Sequence, residues 1–232
     1  MRARLAVALA CAFVAGAASG AIAYRAGLHR YLAPSSAASV TPTNERYAHR
    51  TSLFREFPAE AGIVMVGDSL TEMGDWQSIF PGASIANRGI GYDTTAGALA
   101  RVDTVTSTGA AKAFLMLGTN DFMMGSDVEA TFARYSALIE KMRPSMQIYV
   151  QSTLYVGGGW RSERNPLIAD LNARLRAKCE AGACTFVDLN ASIAPDGVLP
   201  ARCSIDGVHL NGACYRLWAD AIRPYITSPA RP

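Results

Sequence analysis

The run Ile63-Val64-Met65-Val66 carries no polar alternation, a pattern that predicts a strand buried on both faces, as in a parallel sheet flanked by helices. Residues 113 to 117 repeat that pattern, a short strand is expected at 84 to 87, and further strands at 147 to 151 and 185 to 189. Helical spacing fills the intervals. Tyr47, Phe54 and Phe57 fall on or near one face of a helix that Asn44 can cap and Pro58 ends. Leu99 and Val102 belong to a helix opened by Asp93 or Thr94 and stopped at Gly109. Val128, Phe132, Tyr135 and Ile139 form one stripe, with Ser126 and Glu129 as a capping box and Pro144 beyond the end. Asn165 caps and Pro166 opens a helix that turns Ile168, Leu171 and Leu175 inward. Asn211 starts a last helix carrying Tyr215, Trp218 and Ile222 before Pro224.

Strands alternating with helices predict an α/β domain. The expected form is a single doubly wound, flavodoxin-like, five-stranded parallel sheet with helices on both faces, over residues 44 to 227 with a tail at 228 to 232. Ligands on such sheets sit beyond the carboxyl ends of the strands. An N-terminal apolar segment precedes the domain. Arg2 and Arg4 lead an uncharged run from residue 5 to 24 that Arg25 ends, so residues 1 to 25 read as a cleaved secretory signal or an uncleaved membrane anchor. Residues 26 to 43 are a linker, rich in Pro, Ser, Ala and Thr in their second half. The expected location is therefore the periplasm or cell exterior, with membrane contact only if the segment stays attached.

Charge narrows the partners. Lys and Arg number 22 against 19 Asp and Glu, and the excess of three is Arg2, Arg4 and Arg25, so the exported part is neutral. It has no Lys/Arg block, which argues against nucleic acid. Four of the five cysteines, Cys179, Cys184, Cys203 and Cys214, fall in the domain, while Cys11 lies in the apolar run. In an exported domain four suggest two disulfides, and sequence order favours 179 with 184 and 203 with 214. A zinc site is the rival, but no Cys-x-x-Cys or clustered His accompanies them.

The chemistry gathers where strands end. Gly67 lets the backbone turn after the first strand and places Ser69 at the mouth, although a serine there can also be a plain helix cap. A serine hydroxyl needs an adjacent base. Of three histidines, His29 lies near the membrane segment and His49 in the helix before the first strand, which leaves His209. Asp206, three residues earlier, can reach the ring's Nδ1. Asp68, Asp93 and Asp121 read as turn and cap residues. Phe122, Met123, Met124 and Trp160 follow strands and either wall a cleft or cover the core.

Four blocks occur in order: Gly67-Asp68-Ser69-Leu70, Asn87-Arg88-Gly89-Ile90-Gly91-Tyr92-Asp93, Gly118-Thr119-Asn120-Asp121 and Asp206-Gly207-Val208-His209. Together they resemble the SGNH, or GDSL-type, hydrolase family, over about residues 44 to 226. The resemblance implies a cofactor-free serine esterase acting on a small-molecule ester through Ser69, His209 and Asp206. Its oxyanion would be held by the N–H of Ser69, the N–H of Tyr92 and the side-chain amide of Asn120. The family usually carries glycine where Tyr92 stands; a backbone donor survives that change, but a ring now borders the acyl site. The pattern is near the platelet-activating-factor acetylhydrolase and carbohydrate acetylesterase branches, which implies a small acyl group such as acetyl. A lysophospholipase or thioesterase on the same fold is the alternative within enzymes. A catalytically inactive tethered binding domain and a flavin- or nucleotide-binding protein are the alternatives outside, the last disfavoured by the glycine spacing at residues 67 to 69.

Overall fold

The computed structural model describes residues 45 to 228, with the side chain of Trp160 excepted. The apolar segment, the linker, Asn44, Cys11 and His29 lie outside the described residues, as do residues 229 to 232. Five strands, β1 (Ile63–Gly67), β2 (Ile85–Gly89), β3 (Lys112–Met116), β4 (Gln147–Gln151) and β5 (Thr185–Val187), form one sheet in the order β2-β1-β3-β4-β5. Every pairing is parallel. The helices in chain order are α1 (Glu45–Glu56), α2 (Ser69–Glu72), α3 (Trp76–Ile79), α4 (Thr95–Ala100), α5 (Asp103–Thr106), α6 (Thr119–Met123), α7 (Val128–Met142), α8 (Asn165–Lys178), α9 (Asn190–Ile193) and α10 (Gly212–Thr227).

The absence of alternation in β1 has a simple cause: both faces of the strand are covered. Val64 and Val66 point into a core shared with α4, α5, α7 and α8, while Ile63 and Met65 point into one shared with α3, α9 and α10. Ala113 and Leu115 of β3 and Ile148 and Val150 of β4 repeat the first set; Phe114, Met116 and Tyr149 repeat the second. The chain winds from β1 to β2 on one side, then back past β1 to β3. That reversal opens a crevice between the carboxyl ends of β1 and β3, where open parallel sheets hold ligands.

Several local expectations are corrected. Phe57 is 69% exposed: α1 ends at Glu56, and although the Phe57 N–H still donates to the Leu53 carbonyl at 2.9 Å, its ring lies outside the core. The helix expected to run on to Gly109 breaks into α4 and α5 at Arg101, which leaves helical geometry (φ −116°, ψ 21°) and is drawn into the core. Asp127 rather than Ser126 caps α7, accepting from the Ala130 N–H at 2.7 Å, and Glu129 pairs with Arg174 instead of closing a capping box. Asn165 opens α8 but does not cap it; its amide bridges the N–H and C=O of Val156 at 2.9 and 3.0 Å. The last helix passes through Pro224, since the lost N–H would have paired with Asp220, on the exposed side where water can serve, while Ile222 and Ile226 stay buried.

Two glycines set how closely the serine-bearing turn packs on the sheet. A Cβ on Gly67 would lie 2.0 Å from Thr71 Oγ1 and 2.7 Å from the Met116 carbonyl oxygen. A Cβ on Gly89 would lie 2.3 Å from the backbone N of Glu72. Gly67 thus permits close approach rather than a left-handed turn. From the other core, the Tyr215 hydroxyl donates to the Leu70 carbonyl at 2.6 Å and Trp76 Nε1 to the Thr71 carbonyl at 2.9 Å. Trp76 also packs edge-on against Trp218 with ring centroids 5.1 Å apart, an arrangement worth about 0.5–1.5 kcal/mol beyond burial.

Candidate active site

The turn from β1 into α2 places Ser69 as the first helical residue, not as the cap. Asp68 is the cap; its buried carboxyl group accepts the Leu70 N–H at 3.0 Å, which leaves the Ser69 hydroxyl free to face outward. Ser69 Oγ lies 2.9 Å from His209 Nε2. On the far side of the ring, His209 Nδ1 lies 2.6 Å from Asp206 Oδ2. A carboxylate there selects the tautomer with the proton on Nδ1, so Nε2 carries a lone pair toward the serine.

Asp206 is itself firmly held. Its Oδ1 accepts the backbone N–H groups of Val208 and His209, each at 2.9 Å, and the Ser204 hydroxyl at 3.1 Å. Partial burial works to raise this carboxyl. The hydrogen bonds from the His209 ring and from the two backbone N–H groups outweigh it and hold Asp206 well below the ordinary carboxylate range. It therefore stays ionised beside the imidazole.

Three other loop ends converge here. Asn120, on α6 after β3, gives one amide N–H to the Asp93 carbonyl at 2.9 Å, which orients the group and leaves its second N–H for a ligand. Asp93 is anchored by Arg101, with Nη2 2.7 Å and Nε 2.8 Å from Asp93 Oδ2 and both side chains fully buried. Burial pushes the Asp93 carboxyl up while the guanidinium pulls it down. Asp121 accepts from the N–H and the hydroxyl of Thr95, at 2.9 and 2.5 Å, so it ties α4 to α6 rather than meeting a substrate. Ser69, Tyr92, Asn120, Met123, Met124, Arg161, Asp206, Val208 and His209 line one cleft of about 390 Å³. Phe122 is buried in the core, as the covering reading has it, and the Trp160 side chain lies outside the described residues.

The structure also recruits residues that the sequence reading passed over. Asn87 Nδ2 donates to the carbonyls of Thr71 and Glu72, both at 3.1 Å, closing the end of the short helix that Ser69 begins. Glu72 Oε2 takes the Gly91 N–H at 2.8 Å and so fixes the block before Tyr92. Across the cleft, the Gly157 N–H donates to the Gly207 carbonyl at 2.6 Å and Arg161 Nη1 to the Asp206 carbonyl at 3.1 Å. Asn87 lay inside a recognised block, but nothing in the chain's periodicity marks which loop it would cap.

With this geometry in view, comparisons with known proteins give the class. Residues 65–217 match the model of the GDSL-like lipase/acylhydrolase family, and the chain belongs to that family. It is an ester-cleaving hydrolase. No curated protein matches it. Among solved structures, a protein from Streptococcus pneumonia described as a platelet activating factor is similar, with a TM-score of 0.70, 25% identity and coverage of 78% of this chain and 90% of that one. A protein from Bacteroides fragilis assigned as an acylhydrolase gives 0.68 at 25% identity, covering 82% and 98%. An acetylxylan esterase from Geobacillus stearothermophilus gives 0.62 at 18% identity, covering 76% and 98%, a likeness of fold.

Burial raises the Asp68 carboxyl from 3.8 to about 7, with the Leu70 N–H opposing. Between those values the folded protein holds a proton that the unfolded chain has released. The stability from Asp68 is thus complete below the unfolded value and is lost as pH rises through about 7. Asp68→Asn keeps an acceptor for Leu70 and cannot ionise. Its melting temperature, measured against the parent, should improve from pH 5 to pH 8.5; an equal difference at both pH values would refute the assignment.

Both expected disulfides are present, Cys179–Cys184 and Cys203–Cys214. The second brackets Asp206 and His209, and the Asn211 N–H to Cys203 carbonyl bond of 2.8 Å closes the same loop. A loop of that size contributes up to about 3 kcal/mol by constraining the unfolded chain. Misplacing the imidazole by about 1 Å costs on the order of 10² in rate. The Cys203→Ser, Cys214→Ser double variant should therefore lose ester hydrolysis at temperatures where circular dichroism still reports a folded chain. The Cys179→Ser, Cys184→Ser pair should mainly lower the melting temperature. Full activity in the first variant would contradict this.

Proposed function

We propose that this protein is an exported serine esterase that releases a small acyl group, acetyl being the expected case, through Ser69, His209 and Asp206. The observation that carries the reading is the unbroken line from Ser69 Oγ to His209 Nε2 at 2.9 Å and from His209 Nδ1 to Asp206 Oδ2 at 2.6 Å, at the sheet's switch point. As Ser69 Oγ attacks the ester carbonyl carbon, its proton passes to His209 Nε2, and Asp206 stabilises the imidazolium. The carbonyl π electrons move onto oxygen. The N–H groups of Ser69 and Tyr92 and the free amide N–H of Asn120 receive that charge. Collapse expels the alcohol, protonated by His209, and leaves an acyl-serine that water, deprotonated by the same ring, hydrolyses. The cleft's size supports a small substrate, and acetyl is the group named for the acetylxylan esterase of similar fold.

A fluorophosphonate probe should label Ser69 alone. Ser69→Ala should abolish labelling and hydrolysis together while the melting temperature holds. Asn120→Ala should lower kcat by about 10²–10³ with little change in KM, the signature of an interaction made chiefly in the transition state. Labelling of Ser69→Ala, or an Asn120→Ala enzyme as fast as the parent, would overturn the respective assignment.

Export is supported by the charged start and uncharged run of residues 2 to 24 and by the two disulfides, which persist in oxidising compartments. A C-terminal alkaline phosphatase fusion, active only once exported, should be active in cells; activity confined to a cytoplasmic reporter would refute the localisation.

A further inference from the structure

Among the described residues, Tyr92 is the only one other than glycine with a positive φ, at 64°. A bulky side chain in that left-handed conformation is strained, whereas glycine takes it freely. Buried contacts often repay such a cost. Here they do not, because Tyr92 is 65% exposed and belongs to neither core. Its neighbours pin the backbone, through the Gly91 N–H on Glu72 and the Asp93 N–H on the Ile90 carbonyl at 3.1 Å, so the strain is imposed by the loop's position rather than chosen by the ring. A strained residue whose ring is mostly exposed and joins neither core, at the lip of the cleft that holds Ser69, points to work done on the ligand.

The chemistry says which part of the ligand. The departing alcohol oxygen must lie against His209 Nε2 to take its proton, and the acyl substituent diverges from it at the same carbon. Val208 and Arg161 stand on the loops that hold His209, so the alcohol side is theirs. Tyr92, Met123 and the half-exposed Met124 line the same cleft from the segments after β2 and β3, which leaves the acyl side to them.

We propose that the Tyr92 ring is the specificity-determining wall of the acyl site, closing it to chains longer than a few carbons. The inference rests on the esterase reading. It adds that the limit on acyl length is set by one side chain rather than by the depth of the cleft. A backbone donor at position 92 survives any substitution except proline, so the side chain can be varied while the N–H remains.

The test uses p-nitrophenyl acetate, butyrate, hexanoate and octanoate, which share one leaving group, with the parent, Tyr92→Gly and Tyr92→Phe. The quantity read is the ratio of kcat/KM for octanoate to that for acetate. It should rise at least tenfold in Tyr92→Gly and stay within about threefold of the parent in Tyr92→Phe, which keeps the ring. A second series, with acetate fixed and the alcohol varied from methyl to naphthyl, should show no matching change in rank. An acyl ratio unchanged in Tyr92→Gly, or a change confined to the alcohol series, overturns the proposal while leaving the esterase standing. Ester hydrolysis that persists in Ser69→Ala overturns the esterase reading and the acyl wall with it.

Discussion

One buried guanidinium holds the candidate active site together. Arg101 bonds Asp93 through Nε and Nη2 and also reaches the Gly67 carbonyl from Nη2 at 3.4 Å, so a single side chain ties the end of β1 to the loop after β2. The Asp93 carbonyl in turn holds the Asn120 amide, which adds the loop after β3. Taking two charges out of water is costly, and such a pair is often no more stabilising than an apolar replacement. Breaking it is different, because the partner left behind is an uncompensated buried charge at a cost of about 3–5 kcal/mol. The pair therefore specifies geometry more than it adds stability. It also explains why the helix over residues 95 to 106 is interrupted, since Arg101 leaves helical backbone at the point where its side chain turns inward.

The two halves of the site are built by different physics. Ser69 and Asn120 stand on short helices that follow strands buried on both faces, so the sheet dictates their positions. His209 and Asp206 stand on a loop without such backing. A disulfide, the antiparallel bridge between Ser204 and Leu210, the Gly157 to Gly207 hydrogen bond and the Arg161 contact hold it instead. Loops need such ties to place a side chain within the tolerance that proton transfer demands. The His209 side of the candidate site is thus the adjustable half, with Ser69 held by the sheet.

Legibility from sequence divides along the same line. Strands buried on both faces leave an unambiguous apolar run, and β1, β3 and β4 fall within a residue of their expected bounds. The candidate site residues could be singled out because a serine proposed as nucleophile needs a base and the chain has a single histidine placed to serve. Capping was less legible: Asp127 displaced Ser126, and Asn165 gave up its cap to hold the strand-to-loop exit at Val156. Asn, Asp and Ser all compete for nearby backbone groups, and tertiary contacts decide among them. Long-range polar partnerships leave no periodic trace at all. Neither Asn87 capping the Ser69 helix nor Arg101 reaching Gly67 could be read without the fold.

Tyr92 shows how a local mismatch and a site can be one observation. From sequence it is a departure from the glycine expected in the block; from structure it is a left-handed residue with an exposed ring. Each fact alone is unremarkable, since a donor N–H tolerates a side chain and surface tyrosines are common. Their conjunction beside Ser69 is not, because the backbone conformation disfavours a side chain that the folded protein does not bury. Asp68, one residue before Ser69, is the opposite case. It is fully enclosed, and its cost appears as a raised affinity for a proton instead of a strained backbone. It does the work of a cap while destabilising the charged form of itself. Both costs sit at the mouth of the β1 to β3 crevice, the region where a scaffold selected for reaction rather than for stability concentrates its strain.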